Sequence, residues 1–166
     1  MIKLTVMLII IGVMAGQAKA EEPNWEQIVP IIAQIESGGN PNAYNKESGA
    51  IGLMQITDIV LREYNKWSMK SYTVAYENGF LVEPIVYKTQ DLFNPEINKQ
   101  IGTWYLNRIW RHYLPYYKLE QSIENLLIAY NFGIGNLVKY RQGKIKLPKE
   151  TKDYLLKYKA LEKKGR

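Results

Sequence analysis

Glu36-Ser37, Gly52-Leu53-Met54-Gln55 and Ala129-Tyr130-Asn131 are the three short blocks of this chain whose residue types can do chemistry. They bring a carboxyl proton donor together with amide, hydroxyl and thioether groups suited to a polyhydroxylated ligand. Other reagents are scarce. The chain has no Cys, and His112 is its only His, which excludes a thiol nucleophile and a His-rich metal site. No metal or cofactor is expected, and a carboxylic acid is the reagent left.

Whether Glu36 can serve depends on its helix. From Trp25 to Glu36 the residues Ile28, Ile31, Ile32 and Ile35 recur at helical spacing, with Asn24 as N-cap. Glu36 follows Ile32 by four positions and Ile35 by one, which sets its carboxyl on the edge of the buried stripe. Burial and the negative end of the helix dipole both disfavour the charged form, so its pKa should rise. A general acid working near neutral pH needs that. The competing reading of this segment is a solvated glutamate at a helix end.

The other blocks supply contacts. Residues 46–55 form a Gly-punctuated loop leading toward a helix, where backbone amides lie bare and a ligand can approach closely. Gln55 offers a donor and an acceptor; Met54 suits either a sugar face or the core. A helix over 125–131 presents Tyr130 and Asn131 before Phe132-Gly133, and Tyr130 could equally be satisfied by a backbone carbonyl.

The elements that must hold these blocks are helical. The first helix ends at Gly38-Gly39, with Pro30 expected to kink it or restart it as a first-turn residue. A second helix is expected from about Thr57 to Tyr64. Residues 65–90, with Gly79 and Pro84, resist assignment and suit an insertion over the cleft. Asn94-Pro95 opens the clearest helix, striped by Ile97, Ile101, Trp104, Tyr105, Ile109 and Tyr113. Further helices are expected over 122–130, 134–140 and 149–163. One mainly α domain over residues 21–166 is the economical architecture.

Residues 1–20 stand apart: a basic start at Lys3, an apolar run from Leu4 to Val13, and Ala18-Lys19-Ala20 as an A-x-A cleavage pattern. This reads as a cleaved signal peptide, too short in its apolar run to span a bilayer, so the protein is expected to be periplasmic or secreted with no stable membrane insertion. Without Cys there is neither a disulfide framework nor a lipidated N-terminus. The formal charge of +6 falls to +4 without Lys3 and Lys19, a balance suited to an anionic polymer. Nucleic acid is not the expected partner of an exported chain, and the basic tail around Lys157, Lys159 and Lys163 reads as a solvated helix face.

Taken in order, the blocks resemble the lytic transglycosylases of the goose-type lysozyme-like fold, the soluble lytic murein transglycosylase (SLT) family with its small secretion- and conjugation-associated members. Five motifs in register carry the resemblance: Glu36-Ser37, residues 52–55, residues 91–98 (DLFNPEIN), Ala129-Tyr130-Asn131, and residues 148–151 (PKET) followed by Tyr154. Phe132 departs from the small residue the family often has there, and the 65–90 segment is long.

The resemblance implies cleavage of the MurNAc-β-1,4-GlcNAc bond of peptidoglycan with formation of 1,6-anhydromuramic ends, and Glu36 as the catalytic acid with Ser37 beside it. It further implies Met54, Gln55, Tyr130 and Asn131 along the saccharide cleft, with Glu150 and Tyr154 approaching from the last helix. Glycan strands are the implied substrate, and components of a secretion or conjugation apparatus the implied protein partners, a specialised role that the small size favours. Two other classes stay open. A hydrolytic muramidase would need a second carboxylate, for which Glu47, Asp58 and Glu150 are candidates; a non-catalytic wall-binding adaptor would need none.

Overall fold

The computed structural model describes residues 21–78 and 83–165, so the expected leader and cleavage site lie outside the described residues. The chain folds as α1 (Trp25–Ser37), α2 (Asp58–Glu77), a 3-10 turn (Thr89–Phe93), α3 (Pro95–Arg108), a π-helical turn (Ile109–Tyr113), α4 (Leu114–Tyr116), α5 (Ile123–Phe132), α6 (Ile134–Arg141) and α7 (Lys149–Lys164). Extended pairing among the described residues is limited to the isolated antiparallel bridges Tyr44 to Ile51 and Ile51 to Ile56. This is a mainly helical single domain, consistent with a lysozyme-like fold. No helix among the described residues is long and apolar enough to cross a membrane.

The layout follows from which helices are apolar all round. Leu126, Leu127, Ile128 and Ala129 are consecutive and all buried, so α5 has no solvent face over that turn and must be enclosed. It is packed by α6, α7 and the π-helical turn, while α1 lies on α7 and α3, and α2 lies on α3. Ile28, Val29, Ile32 and Ala33 are the buried stripe of α1, one turn before Glu36. The core therefore runs up to the place where the acid sits.

Caps set the helix ends as their residue types require. The Asn94 side chain accepts from the backbone N–H groups of Glu96 and Ile97 with Pro95 as the first helical residue, and Ser122 caps α5 through the Asn125 N–H. Gly38, at φ 65°, ends α1 as an αL cap: its N–H reaches Gln34 O, and the Gly39 N–H reaches back to Ala33 O.

Two expectations are corrected. α1 runs unbroken through Pro30, which is exposed, so the helix does not restart there. α2 continues thirteen residues past Tyr64, to Glu77, and among the described residues of the 65–90 segment none lines the cleft around Glu36. Instead Asn65 pairs with the backbone of Tyr87, donating to its carbonyl at 2.8 Å and accepting from its N–H at 3.0 Å, which ties the return leg to α2. The expected stripe does reach Tyr113, although α3 ends at Arg108 and the following turn is π-helical: Ile101 and Ile109 are fully buried, and Ile97, Trp104, Tyr105 and Tyr113 pack against the core.

Candidate active site

Glu36 is the penultimate residue of α1, held where the helix meets the 43–56 loop. The next residue makes that junction: the Ser37 hydroxyl lies 2.9 Å from Leu53 O and 3.1 Å from Ala33 O. Its one proton is shared between the two carbonyls. Ser37 thus clamps the loop to the helix and is not among the residues lining the cleft.

The loop is narrow and fully specified. Ile51 and Ile56 exchange both backbone hydrogen bonds, at 3.0 and 2.9 Å, closing a turn over residues 52–55. Behind it lies Asn98, a wholly buried amide whose Nδ2 donates to Ile51 O and Leu92 O and whose Oδ1 accepts from the Met54 N–H, each at 2.8 Å. One side chain of α3 thereby fixes the turn and the 3-10 segment together. Gly52, at φ 76°, permits this approach: a Cβ there would lie 2.3 Å from Asn98 Nδ2 and 2.5 Å from Leu92 O. Past the turn, Gln55 takes the left-handed region at φ 47°, and its Nε2 donates to Gly52 O at 3.0 Å. Its Oε1 remains to meet a ligand.

α5 and α7 close the other side. The Tyr130 hydroxyl donates to Met54 O at 2.9 Å, bridging α5 to the turn. Asn131 Oδ1 accepts from Thr151 Oγ1 at 2.8 Å, which leaves the NH2 end of that amide as its donor. Glu150, Tyr154 and Lys157 project from successive turns of α7.

Together these residues enclose a cleft of about 360 Å³. Burial raises the Glu36 pKa from 4.5 to about 7; the Tyr154 hydroxyl opposes this, Glu150 raises it further and Lys157 lowers it. The Tyr154 contact falls short of a formed hydrogen bond, since the buried phenol oxygen has no partner in hydrogen-bond geometry. Burial and the neighbouring Glu36 charge hold the Tyr130 and Tyr154 phenols well above their usual pKa, so both stay protonated.

Of the residues singled out in the sequence, Glu36, Gln55, Tyr130, Asn131, Glu150 and Tyr154 meet at this cleft. Met54 does not. Its side chain is fully buried against Gly102, and the core takes the thioether because α3 offers a gap there that a Cβ would fill. Of the candidate second carboxylates only Glu150 lines the cleft; Glu47 and Asp58 do not. Sequence reasoning missed Asn45, Ser48, Thr57 and Lys157. Asn45 had a signal in the run Asn45-Lys46-Glu47-Ser48-Gly49, an Asx turn in which its Oδ1 accepts from Glu47 and Ser48. Lys157 had one as well, seven positions after Glu150 and three after Tyr154 on the same helical face.

Chemically the cleft offers one carboxyl that is half protonated near neutrality, a second carboxyl in Glu150, two phenols, three amides and one ammonium group. It can give a proton to a ligand oxygen and take one back. Comparison with known families places the same stretch: the family model described as Transglycosylase SLT domain matches residues 14–152. No solved structure matches the chain.

Proposed function

Because this chain belongs to the transglycosylase SLT domain family, whose activity is lytic transglycosylation of peptidoglycan, we propose that Glu36 carries out that reaction alone, as acid and then as base. The observation that carries the assignment is a carboxyl raised to about 7 by burial in a cleft bordered by Gln55, Tyr130 and Tyr154.

In the first step the Glu36 carboxyl gives its proton to the oxygen bridging MurNAc and GlcNAc. The bond from that oxygen to the anomeric carbon breaks, and GlcNAc leaves with a free 4-hydroxyl. Positive charge at the anomeric carbon is met by the substrate's own N-acetyl oxygen. In the second step the Glu36 carboxylate removes the proton of the MurNAc 6-hydroxyl, and that oxygen bonds to the anomeric carbon. The 1,6-anhydro ring forms, the acid is restored, and no water is consumed. A tethered hydroxyl competes well with solvent because its effective concentration is orders of magnitude higher than a free nucleophile's. Gln55 Oε1 and the Asn131 NH2 hold the sugars, and the protonated phenols of Tyr130 and Tyr154 keep the dry side of the cleft.

One observation favours a second reading. Glu150 lines the same cleft, so a water activated there would give hydrolysis by two carboxylates. Mass spectrometry of digested peptidoglycan separates the two: transglycosylation gives ends one water lighter than hydrolysis. Glu36→Gln should cut turnover by about 10²–10⁴-fold, the usual contribution of a positioned acid, while glycan binding persists. Lytic activity at the wild-type rate would refute the assignment. The reading also includes export by the leader at residues 1–20 and service to a secretion or conjugation apparatus, supported by the motif resemblance rather than by the cleft.

A further inference from the structure

Away from the cleft, α2 and α3 enclose a second groove, of quite different chemistry. One part, about 770 Å³, is lined by Lys66, Trp67, Lys70 and Arg108; an adjoining hollow of about 260 Å³ shares Trp67 and Arg108 and adds Trp104. No described residue lines both this groove and the Glu36 cleft.

The aromatic floor is built, not incidental. Trp67 packs against Trp104 and Tyr64 with ring centroids 5.6 Å away in each case, and Tyr64 meets Trp104 edge-on at 5.3 Å. Gln100 fixes the layer beneath, donating to the Tyr64 hydroxyl at 2.7 Å and accepting from the Tyr87 hydroxyl at 3.3 Å. Trp67 nevertheless stays 42% exposed. A large indole held in one orientation with an open face is a stacking platform for a sugar ring. The charge is one-sided. Among the described residues Glu63 is the sole acidic one lining this groove, and it is bound by Arg108 Nε at 2.6 Å and by the Tyr113 hydroxyl. Lys66 and Lys70 are exposed at the rim.

We propose that this groove is a second, non-catalytic holding site for a peptidoglycan strand, with Trp67 against a sugar face and Lys66 and Lys70 on the carboxylates of the peptide stems. The inference rests on the proposed function for the identity of the polymer. The charges are complementary, since the stems are anionic and the groove has unneutralised cations. A polymer held at two places on one surface binds more tightly than either contact alone would allow, because the second contact is intramolecular. The groove gives the enzyme purchase on an insoluble substrate and leaves the chemical step to the cleft.

The test compares binding to purified sacculi by protein carrying Glu36→Gln, with and without Lys66→Glu/Lys70→Glu. The pair should weaken sacculus binding about tenfold, most at low salt, where charge contacts are least screened. In the Glu36 background, the same pair should leave kcat on a short soluble muropeptide unchanged. Trp67→Ala should weaken sacculus binding at all salt concentrations, its fold being checked by melting. A control pair on the outer face of α7, Lys159→Glu/Lys163→Glu, should have little effect.

Unchanged sacculus binding by the Lys66/Lys70 pair overturns the proposal, and binding of an acidic peptide would then assign the cations to a protein partner. An equal loss in the control pair, or an equal loss of turnover on the short muropeptide, overturns it too. Lysis by Glu36→Gln would instead sink the catalytic assignment, leaving this binding comparison to be judged by itself.

Discussion

Replacing Glu36 by Gln should stabilise the protein in neutral and alkaline solution and not in acid. An unfolded glutamate ionises near 4.5, whereas the folded one ionises near 7, so the native state binds the extra proton between those values. A carboxyl whose folded pKa is raised leaves stability intact below pH 4.5 and takes it away as pH climbs through 7. At about 1.4 kcal/mol per pH unit the rise is worth about 3 kcal/mol, trimmed to roughly 2–3 kcal/mol by solvent entering the cleft. Gln keeps the shape and carries no charge at any pH. Thermal or urea unfolding of both proteins from pH 4 to pH 8 should therefore show coincident stability at pH 4. A gap should open through pH 6, reaching roughly 5–10 °C in Tm at pH 8 for a domain of this size. A stability difference independent of pH, or one that favours the wild type at pH 8, would refute the idea that burial governs this acid.

Further expectations concern the same machinery. The wild-type kcat/KM should fall about tenfold per pH unit above pH 7, as the proton needed for the first step is lost. Tyr154→Phe removes a group that lowers the Glu36 pKa, and Lys157→Met removes another, so each should move this alkaline limb to higher pH; Glu150→Gln should move it lower. Gly52→Ala should cost about 3 kcal/mol or more, since the new methyl meets the Leu92 carbonyl at 2.5 Å and φ is positive, and denaturant titration reads it directly. Asn98→Ala should cost a comparable amount, about 1–3 kcal/mol for each buried group it leaves unpaired, with KM rising as the Gln55 turn loosens.

The helices were legible wherever a cap and an apolar period agreed. Asn94-Pro95 announced α3, and the Asn24 cap and Ile run of α1 placed Glu36 at a stripe edge, where burial does raise its pKa. The continuation of α2 was hidden because residues 65–77 mix Lys, Ser, Thr and Tyr with a diluted apolar period, and the helix packs one face against α3 while leaving Trp67 and Met69 exposed. Met54 was ambiguous because a thioether suits a sugar and a core equally; the gap over Gly102, on a helix 48 positions later in the chain, decides it. Lys157 was concealed by its neighbours, since a lysine among lysines reads as solvated until the packing of α7 on α1 and α5 shows which face looks inward.

Surface turns usually accept an added residue at little cost, because chain entropy grows slowly with length. The turn between Ile51 and Met54 cannot. Its two ends grip the same Asn98 amide, one through a carbonyl and the other through an N–H, so the span between them is set by the width of a single side chain. One inserted residue would pull either end out of reach, and with it the carbonyl of Met54 on which Tyr130 leans. The floor of the cleft has the length discipline of an interior seam although it has the outline of a loop.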